Sequence, residues 1–238
     1  MIELKRYRLF PALSVFLATV MLFAAGYAVM NARSFQFFGR LISRVDTAKK
    51  VAFLTFDDGP TENAGSILRA LDELDVKASF FLIGEKMEEN PAWAKAILES
   101  GHDIGNHTYS HPRMVFHSLP FIQSEVDKTN AIIRSLGYRR EIFFRPPGCK
   151  KLFLLPWHLG RICQTTVTWT LEPESCPAIA KDAQSMADYT IRNISNGAII
   201  LLHPMNDGTG RTIQAIKLIV SGLRDKGYTF ERLSDVVP

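Results

Sequence analysis

The stretch LFPALSVFLATVMLFAAGYAVM, Leu9 to Met30, contains no charged residue. At about 1.5 Å of rise per residue it makes a helix of roughly 33 Å, enough for a bilayer core of ~30 Å. A helix apolar on every side needs cover on every side, and the ~190 residues left over make one ordinary domain that cannot easily supply it. Lys5, Arg6 and Arg8 precede the run, as in the basic start of an export segment. The run exceeds the ~7–15 apolar residues of a cleavable signal, so the expectation is an uncleaved single-pass anchor. Its short basic tail would lie inside and the rest of the chain outside the cytoplasm. Gly26-Tyr27-Ala28 offers a cleavage site, and cutting there would make the protein secreted. Arg33, Arg40 and Arg44 follow and blunt the charge asymmetry that sets orientation.

The chain therefore divides into 1–32, tail and anchor or signal; 33–50, a juxtamembrane linker; and 51–238, a domain. In the linker Phe35, Phe37, Phe38, Leu41 and Ile42 are expected to dock on that domain. From Val51 on, short β-prone runs alternate with amphipathic ones. VAFLTF, KASFFLIG, IFF, TTVTW, AIILL and YTF read as strands. Helices are expected over ENAGSILRALDEL, with an apolar stripe at Ile67, Leu68, Leu71 and Leu74, and behind Asn90 as cap, with Pro91 in the first turn and Gly101 just past the end. Further helices should cover 119–136, 181–195 and 211–226. Apolar strands alternating with helices argue for an α/β fold with a parallel sheet. A net charge of +4, with no basic run interleaved with aromatics, excludes a nucleic-acid partner and permits weak attraction to an anionic envelope. The three cysteines, Cys149, Cys163 and Cys176, allow one bridge at most; unpaired small core residues are as good a reading.

In parallel α/β folds functional groups gather where strands end. Four polar clusters fall there: Asp57-Asp58 after VAFLTF, His107 and His111 in GNHTYSHP, Arg145 in FFRPPG, and His203 after AIILL. Each alone has a bland explanation, such as a turn, surface polarity, a structural ion pair or a scaffold histidine. Together they read as a mononuclear metal hydrolase. Histidines at i and i+4 on a helical turn, with a carboxylate, make a two-histidine, one-carboxylate set that leaves a coordination position for water. One aspartate binds the ion, which offsets the repulsion of its neighbour, and that neighbour serves as general base. His203 is the natural acid, and Arg145 would pair with the base. A phosphatase of the haloacid-dehalogenase type needs carboxylates two residues apart, whereas the position two beyond Asp57 is Gly59.

TFDDGP, HTYSH, RPP and LLH, in this order behind an export segment, resemble the polysaccharide deacetylases of carbohydrate esterase family four, the nodulation-protein homology domain. The resemblance covers roughly 51–238. It implies a distorted (β/α) barrel of about seven parallel strands and a monomer that removes acetyl groups from an N-acetylated polysaccharide such as peptidoglycan or a chitin-like glycan. It implies Asp57 as base, Asp58, His107 and His111 as ligands of one divalent ion (zinc first, cobalt or nickel as alternatives) and Arg145 orienting Asp57. His203 would be the acid, and Leu201 and Trp169 would line an acetyl pocket. Two departures stand out. The family's third motif continues Arg-Pro-Pro-Tyr-Gly, whereas here Pro147 is followed by Gly148-Cys149, so the expected oxyanion amide belongs to Gly148. The fourth motif's Asp-Trp pair is missing from WTLEPESC; Glu172 is the expected substitute in support of Arg145 or His203, with Asp182 as a second choice. The departures leave two alternatives open, a weakened glycan-binding protein on the same scaffold and an O-acetyl polysaccharide esterase.

Overall fold

The computed structural model describes residues 3–237, with side chains from residue 13 onward; the side chains of Lys5, Arg6 and Arg8 lie outside the described residues. The chain opens with α1 (Glu3–Asn31), β1 (Leu41–Ile42), β2 (Val51–Gly59) and α2 (Ala64–Glu73). It continues through β3 (Ser79–Leu82), α3 (Gly84–Glu89), α4 (Pro91–Glu99), β4 (Asp103–Asn106) and α5 (Leu119–Ser135). Then come α6 (Leu154–Arg161), β5 (Thr166–Val167), α7 (Ala183–Asn193), β6 (Ala198–Leu202), α8 (Arg211–Asp225), β7 (Thr229–Phe230) and α9 (Leu233–Val236).

Among the described residues every pair of named strands is parallel. Five strands form one sheet, ordered β4-β3-β2-β6 with β7 beside the start of β2, and β1 pairs with β5. Single bridges at Asn106–Phe144, Phe144–Thr166 and Leu171–Ile200 tie the two parts together. The expected barrel of about seven strands is thus a five-stranded sheet and a two-stranded pair joined by bridges. IFF, expected as a strand, contributes only the bridging Phe144.

A period of two sorts β2 between two cores. Ala52, Leu54 and Phe56 join the cluster under the helices, with Ile67 and Leu71 of α2 and Ile216, Ile219 and Leu223 of α8. Val51 and Phe53 face the other way, toward Phe81, Val167, Trp169, Ile199 and Leu201. Phe53 and Phe56 are fully buried, and each such side chain contributes about 1.5–3 kcal/mol relative to exposure. Thr55 and Asp57 continue the inner row, so the base candidate stands at the top of an apolar column.

The segment 33–50 is not merely a linker. Leu41–Ile42 form a strand on β5, and Ile42 and Val45 are buried. Phe35, Phe37 and Phe38 remain about half exposed; Phe37 stacks on Phe153 with ring centroids 4.5 Å apart. Helix α4 has Pro91 in its first turn as expected, but Asn90 does not cap it: its side-chain amide donates to the Lys86 carbonyl. The span Leu13–Asn31 of α1 is long and apolar enough to cross a membrane, and none of it is buried against protein. Cys149 is buried and Cys163 and Cys176 are exposed, all three as free thiols.

Candidate active site

Neighbouring residues of a strand point to opposite faces, so Asp57 and Asp58 should diverge. They do not, because the β2–β3 register slips between them: Asp57 lies opposite Phe81 and Gly59 opposite Leu82, leaving Asp58 as the extra residue of a bulge. Asp58 takes a left-handed φ of 70°, and Lys86 Nζ donates to its carbonyl at 2.8 Å. The bulge turns the second carboxylate beside the first, and His107 Nε2 lies 3.6 Å from Asp57 Oδ2 and 3.5 Å from Asp58 Oδ1. Gly59 follows because a Cβ there would sit 2.9 Å from the Met205 side chain.

His107 directly follows β4, and His111 closes the loop behind it. They do not share a helical turn: Thr108 and His111 take left-handed φ values of 67° and 59°. The loop is instead folded around a carboxylate. Glu125, buried on α5, accepts from the backbone N–H of Tyr109 and Ser110 and from the Ser110 hydroxyl at 2.8–2.9 Å. The loop brings the imidazoles to a centroid separation of 4.9 Å. His107 Nδ1 donates to the Arg145 carbonyl at 2.7 Å, which leaves Nε2 as the lone-pair nitrogen facing Asp58. His111 Nε2 is 3.1 Å from the same Asp58 oxygen.

One ligand atom each from Asp58, His107 and His111 lies within 4.8 Å of the others. Asp58 Oδ1 is buried with no hydrogen-bond partner, an arrangement that costs free energy unless a cation takes that place. Its other oxygen accepts from Asn206 Nδ2 at 2.8 Å. The donor set and the orphaned oxygen fit one divalent ion.

Beside this cluster Arg145 is fully buried. Its Nη1 donates to Asp57 Oδ1 at 2.7 Å and to Thr55 Oγ at 2.9 Å; Nε and Nη2 donate to the carbonyls of Val167 and Thr168. The guanidinium lies 3.9 Å from the Phe81 ring centroid. Burial lowers its pKa and the Asp57 charge opposes that fall, so the two ions depend on each other.

His203 follows β6. Its partner is Glu174, not Glu172: the His203 ring Nδ1 and backbone N–H both donate to Glu174 Oε2, at 2.8 and 2.7 Å, and Thr212 donates to Oε1. Burial disfavours the imidazolium, but the Glu174 hydrogen bond and the charges of Asp57, Glu174 and Asp58 raise the pKa to about 9. Glu172 bonds elsewhere, accepting from Trp169 Nε1 and Arg33 Nη2, each at 2.9 Å. The turn at Pro173–Ser175 separates the two acids and sends only the second toward β6. Asp182, the second choice, caps α7 by accepting from Ser185 N.

A cleft of about 460 Å³ collects Asp57, Asp58, His107, His111, Gly148, Trp169, Glu172, Leu201 and His203. Pro147 is buried behind the Gly148 turn. Gly148 has φ 56°, and a Cβ there would meet nothing nearer than the Lys150 side chain at 3.9 Å, so its backbone conformation rather than crowding calls for glycine. Asn31 and Arg33, at the end of α1, also line the cleft. Sequence reasoning missed them, and Arg33 lies 4.7 Å from the Trp169 ring centroid as well as pairing with Glu172. It also missed Glu125, although an acid on the stripe Ile122, Val126, Thr129, Ile133 is a readable signal.

A parallel α/β scaffold thus gathers two histidines, a bulged aspartate pair and a buried arginine at its strand ends, with a donor set that could hold one metal ion. The polysaccharide deacetylase profile matches residues 44–152. A peptidoglycan-N-acetylglucosamine deacetylase of Bacillus cereus is 27% identical over 203 residues, covering 84% of this chain and 93% of that protein. A solved peptidoglycan N-acetylglucosamine deacetylase bound to an N-hydroxybenzamide superposes with TM-score 0.76 at 30% identity, over 84% of this chain and 92% of that one. A Bacillus anthracis pseudoenzyme of carbohydrate esterase family four gives TM-score 0.75 at 27% identity, over 85% and 70%. The chain belongs to the polysaccharide deacetylases of carbohydrate esterase family four.

Proposed function

We propose that the protein is a metal-dependent hydrolase that removes acetyl groups from N-acetylated sugars of an extracytoplasmic polysaccharide, peptidoglycan first, held at the membrane by α1 as a single-pass anchor. The observation that carries this reading is the convergence of Asp58, His107 and His111 on one buried, unpartnered carboxylate oxygen, with Asp57 alongside. A pseudoenzyme on the same fold makes the individual residues, rather than the scaffold, the ground for assigning turnover.

Asp58, His107 and His111 would hold the ion, with zinc favoured by the nitrogen and oxygen donors. A divalent cation there would supply Lewis-acid chemistry, making water easier to deprotonate near neutral pH. Asp57 is the general base: Arg145 fixes one oxygen, and the other faces the cluster to take a proton from the attacking water. His203 enters the reaction as the imidazolium that Glu174 sustains, and it delivers its proton to the departing amine nitrogen. Trp169 and Leu201 give the acetyl methyl an apolar wall, and the Gly148 backbone N–H serves the developing oxyanion. The domain assigned to this chemistry is 51–238 together with the strand at Leu41–Ile42.

The test is acetate release from a panel of acetylated chitooligosaccharides and peptidoglycan fragments, before and after chelation and zinc restoration. Release that needs the ion and vanishes in Asp57→Asn supports the reading. Folded, zinc-loaded protein that binds glycan without releasing acetate from N- or O-acetylated members would replace it with a binding role.

A further inference from the structure

We propose that the domain is seated in the bilayer surface, with three loops around the exit of α1 forming an apolar apron at the headgroup–acyl boundary and the cleft mouth brought to the level of the membrane. The inference rests on the reading of α1 as an anchor and adds where the substrate is met: glycan presented at the bilayer surface rather than free in solution.

The apron draws apolar side chains from all three loops. Phe35, Phe37 and Phe38 are about half exposed, and Phe37 stacks on Phe153, itself half exposed. Phe116 is 89% exposed, from a loop where it takes a left-handed φ of 60°. Phe116 and Leu152 face Phe23, Tyr27 and Met30 of α1 across an almost wholly apolar trench of about 760 Å³. Exposed apolar surface of this extent is unusual on a protein surrounded by water.

Continuity with α1 names the occupant. One wall of the trench is the uncovered apolar helix itself. From Phe23 to Met30 the helix rises about 10 Å, comparable with the ~5–10 Å to which interfacial elements sink. Lys150 reaches the Asn31 side chain at the helix end, its ammonium 5.9 Å from the Tyr27 ring centroid, a cation–aromatic pairing suited to the interface. The link to the cleft is direct, because Asn31 and Arg33 line it together with Asp58 and His107. The last turn of the anchor is thus a wall of the site, and the site cannot stand far from the membrane.

The experiment uses the full chain in vesicles of phosphatidylethanolamine and phosphatidylglycerol. Nitroxide labels go on Phe116→Cys and Phe153→Cys, and on Gln214→Cys in α8 as a control, in a Cys163→Ser, Cys176→Ser background. Labels at 116 and 153 should be relaxed more by oxygen than by a water-soluble nickel complex, and the label at 214 the reverse. Labels at 116 and 153 that behave like the one at 214 would overturn the proposal. So would shielding from both reagents in a dimer, which would assign the apron to a second copy. A Phe116→Asp, Phe153→Asp variant should stay within about twofold of wild type on a soluble N-acetylglucosamine oligomer but lose about tenfold on the same sugar carried by a vesicle lipid. Equal effects on both substrates would overturn the substrate claim. If the wild type releases acetate from neither, the proposed activity fails, and label depth alone decides the seating.

Discussion

The floor and the rim of the cleft are held by different physics. On the floor, Arg145, Asp57, Thr55 and His107 are all but sealed from water, and backbone carbonyls of Val167, Thr168 and Arg145 accept their hydrogens. At the rim, His111 and His203 keep 40% and 30% of their side chains exposed, and Arg33 stands on Glu172. The floor is fixed by the sheet, so its geometry follows from strand register. The rim depends on loops pinned by three carboxylates, Glu125, Glu172 and Glu174. Floor substitutions should therefore cost chemistry and stability together, whereas rim substitutions should tune ion affinity, pH response and substrate binding separately.

The largest effect is expected at the base. Asp57→Asn should lower kcat for acetate release by about 10²–10⁴ with zinc stoichiometry unchanged; equal turnover would remove Asp57 from the mechanism. Next, Arg145→Ala leaves the Asp57 charge buried and unpaired, a class of change that costs about 3–5 kcal/mol, readable in urea unfolding. A loss of activity without that destabilisation would break the floor–rim distinction. On the rim, Glu125→Ala should loosen the loop that carries His111 and weaken zinc affinity by about 10–100-fold, measured by chelator competition, with a smaller loss of stability than Arg145→Ala.

Glu174→Gln tests the acid through pH. The raised pKa of His203, about 9, keeps it protonated through neutral pH, and the proton is lost as pH rises through that value. Without the carboxylate the alkaline limb of kcat should move down toward the ordinary histidine value of ~6.5. The stability the pair contributes has the same sign: fully present below the unfolded value and lost as pH rises through about 9. An unmoved limb would assign the proton to another group. The smallest effect belongs to Arg33→Ala, expected to raise KM by a few-fold at unchanged kcat, since exposed ion pairs are worth about 0–1 kcal/mol.

The same division explains what could be read from the chain. Floor residues sit in short motifs because each leaves the end of a strand, where apolar alternation flags the position just before it, as Phe53 and Phe56 do for Asp57. The rim partners are long-range: Glu174 meets His203 across a separation of 29 residues, and Arg33 meets Glu172 across 139. Proximity in the chain offers Glu172 as a support for His203, but the turn at Pro173 gives that contact to Glu174. The helical pairing of His107 and His111 failed for a related reason. Spacing of i and i+4 is blind to two left-handed residues and to a carboxylate on another element.

By itself the sequence determined the uncharged apolar run, the parallel α/β scaffold, and the residue types that the proposed two-histidine, one-carboxylate centre with its base and acid would use. These follow from periodicity and from chemistry that few side chains can perform. Only the tertiary structure decided that a bulge turns two adjacent aspartates to the same site, that Glu174 rather than Glu172 sustains His203, and that the end of α1 forms part of the cleft. Those outcomes depend on strand register, left-handed turns and the meeting of distant segments, and such contacts leave no period in the chain.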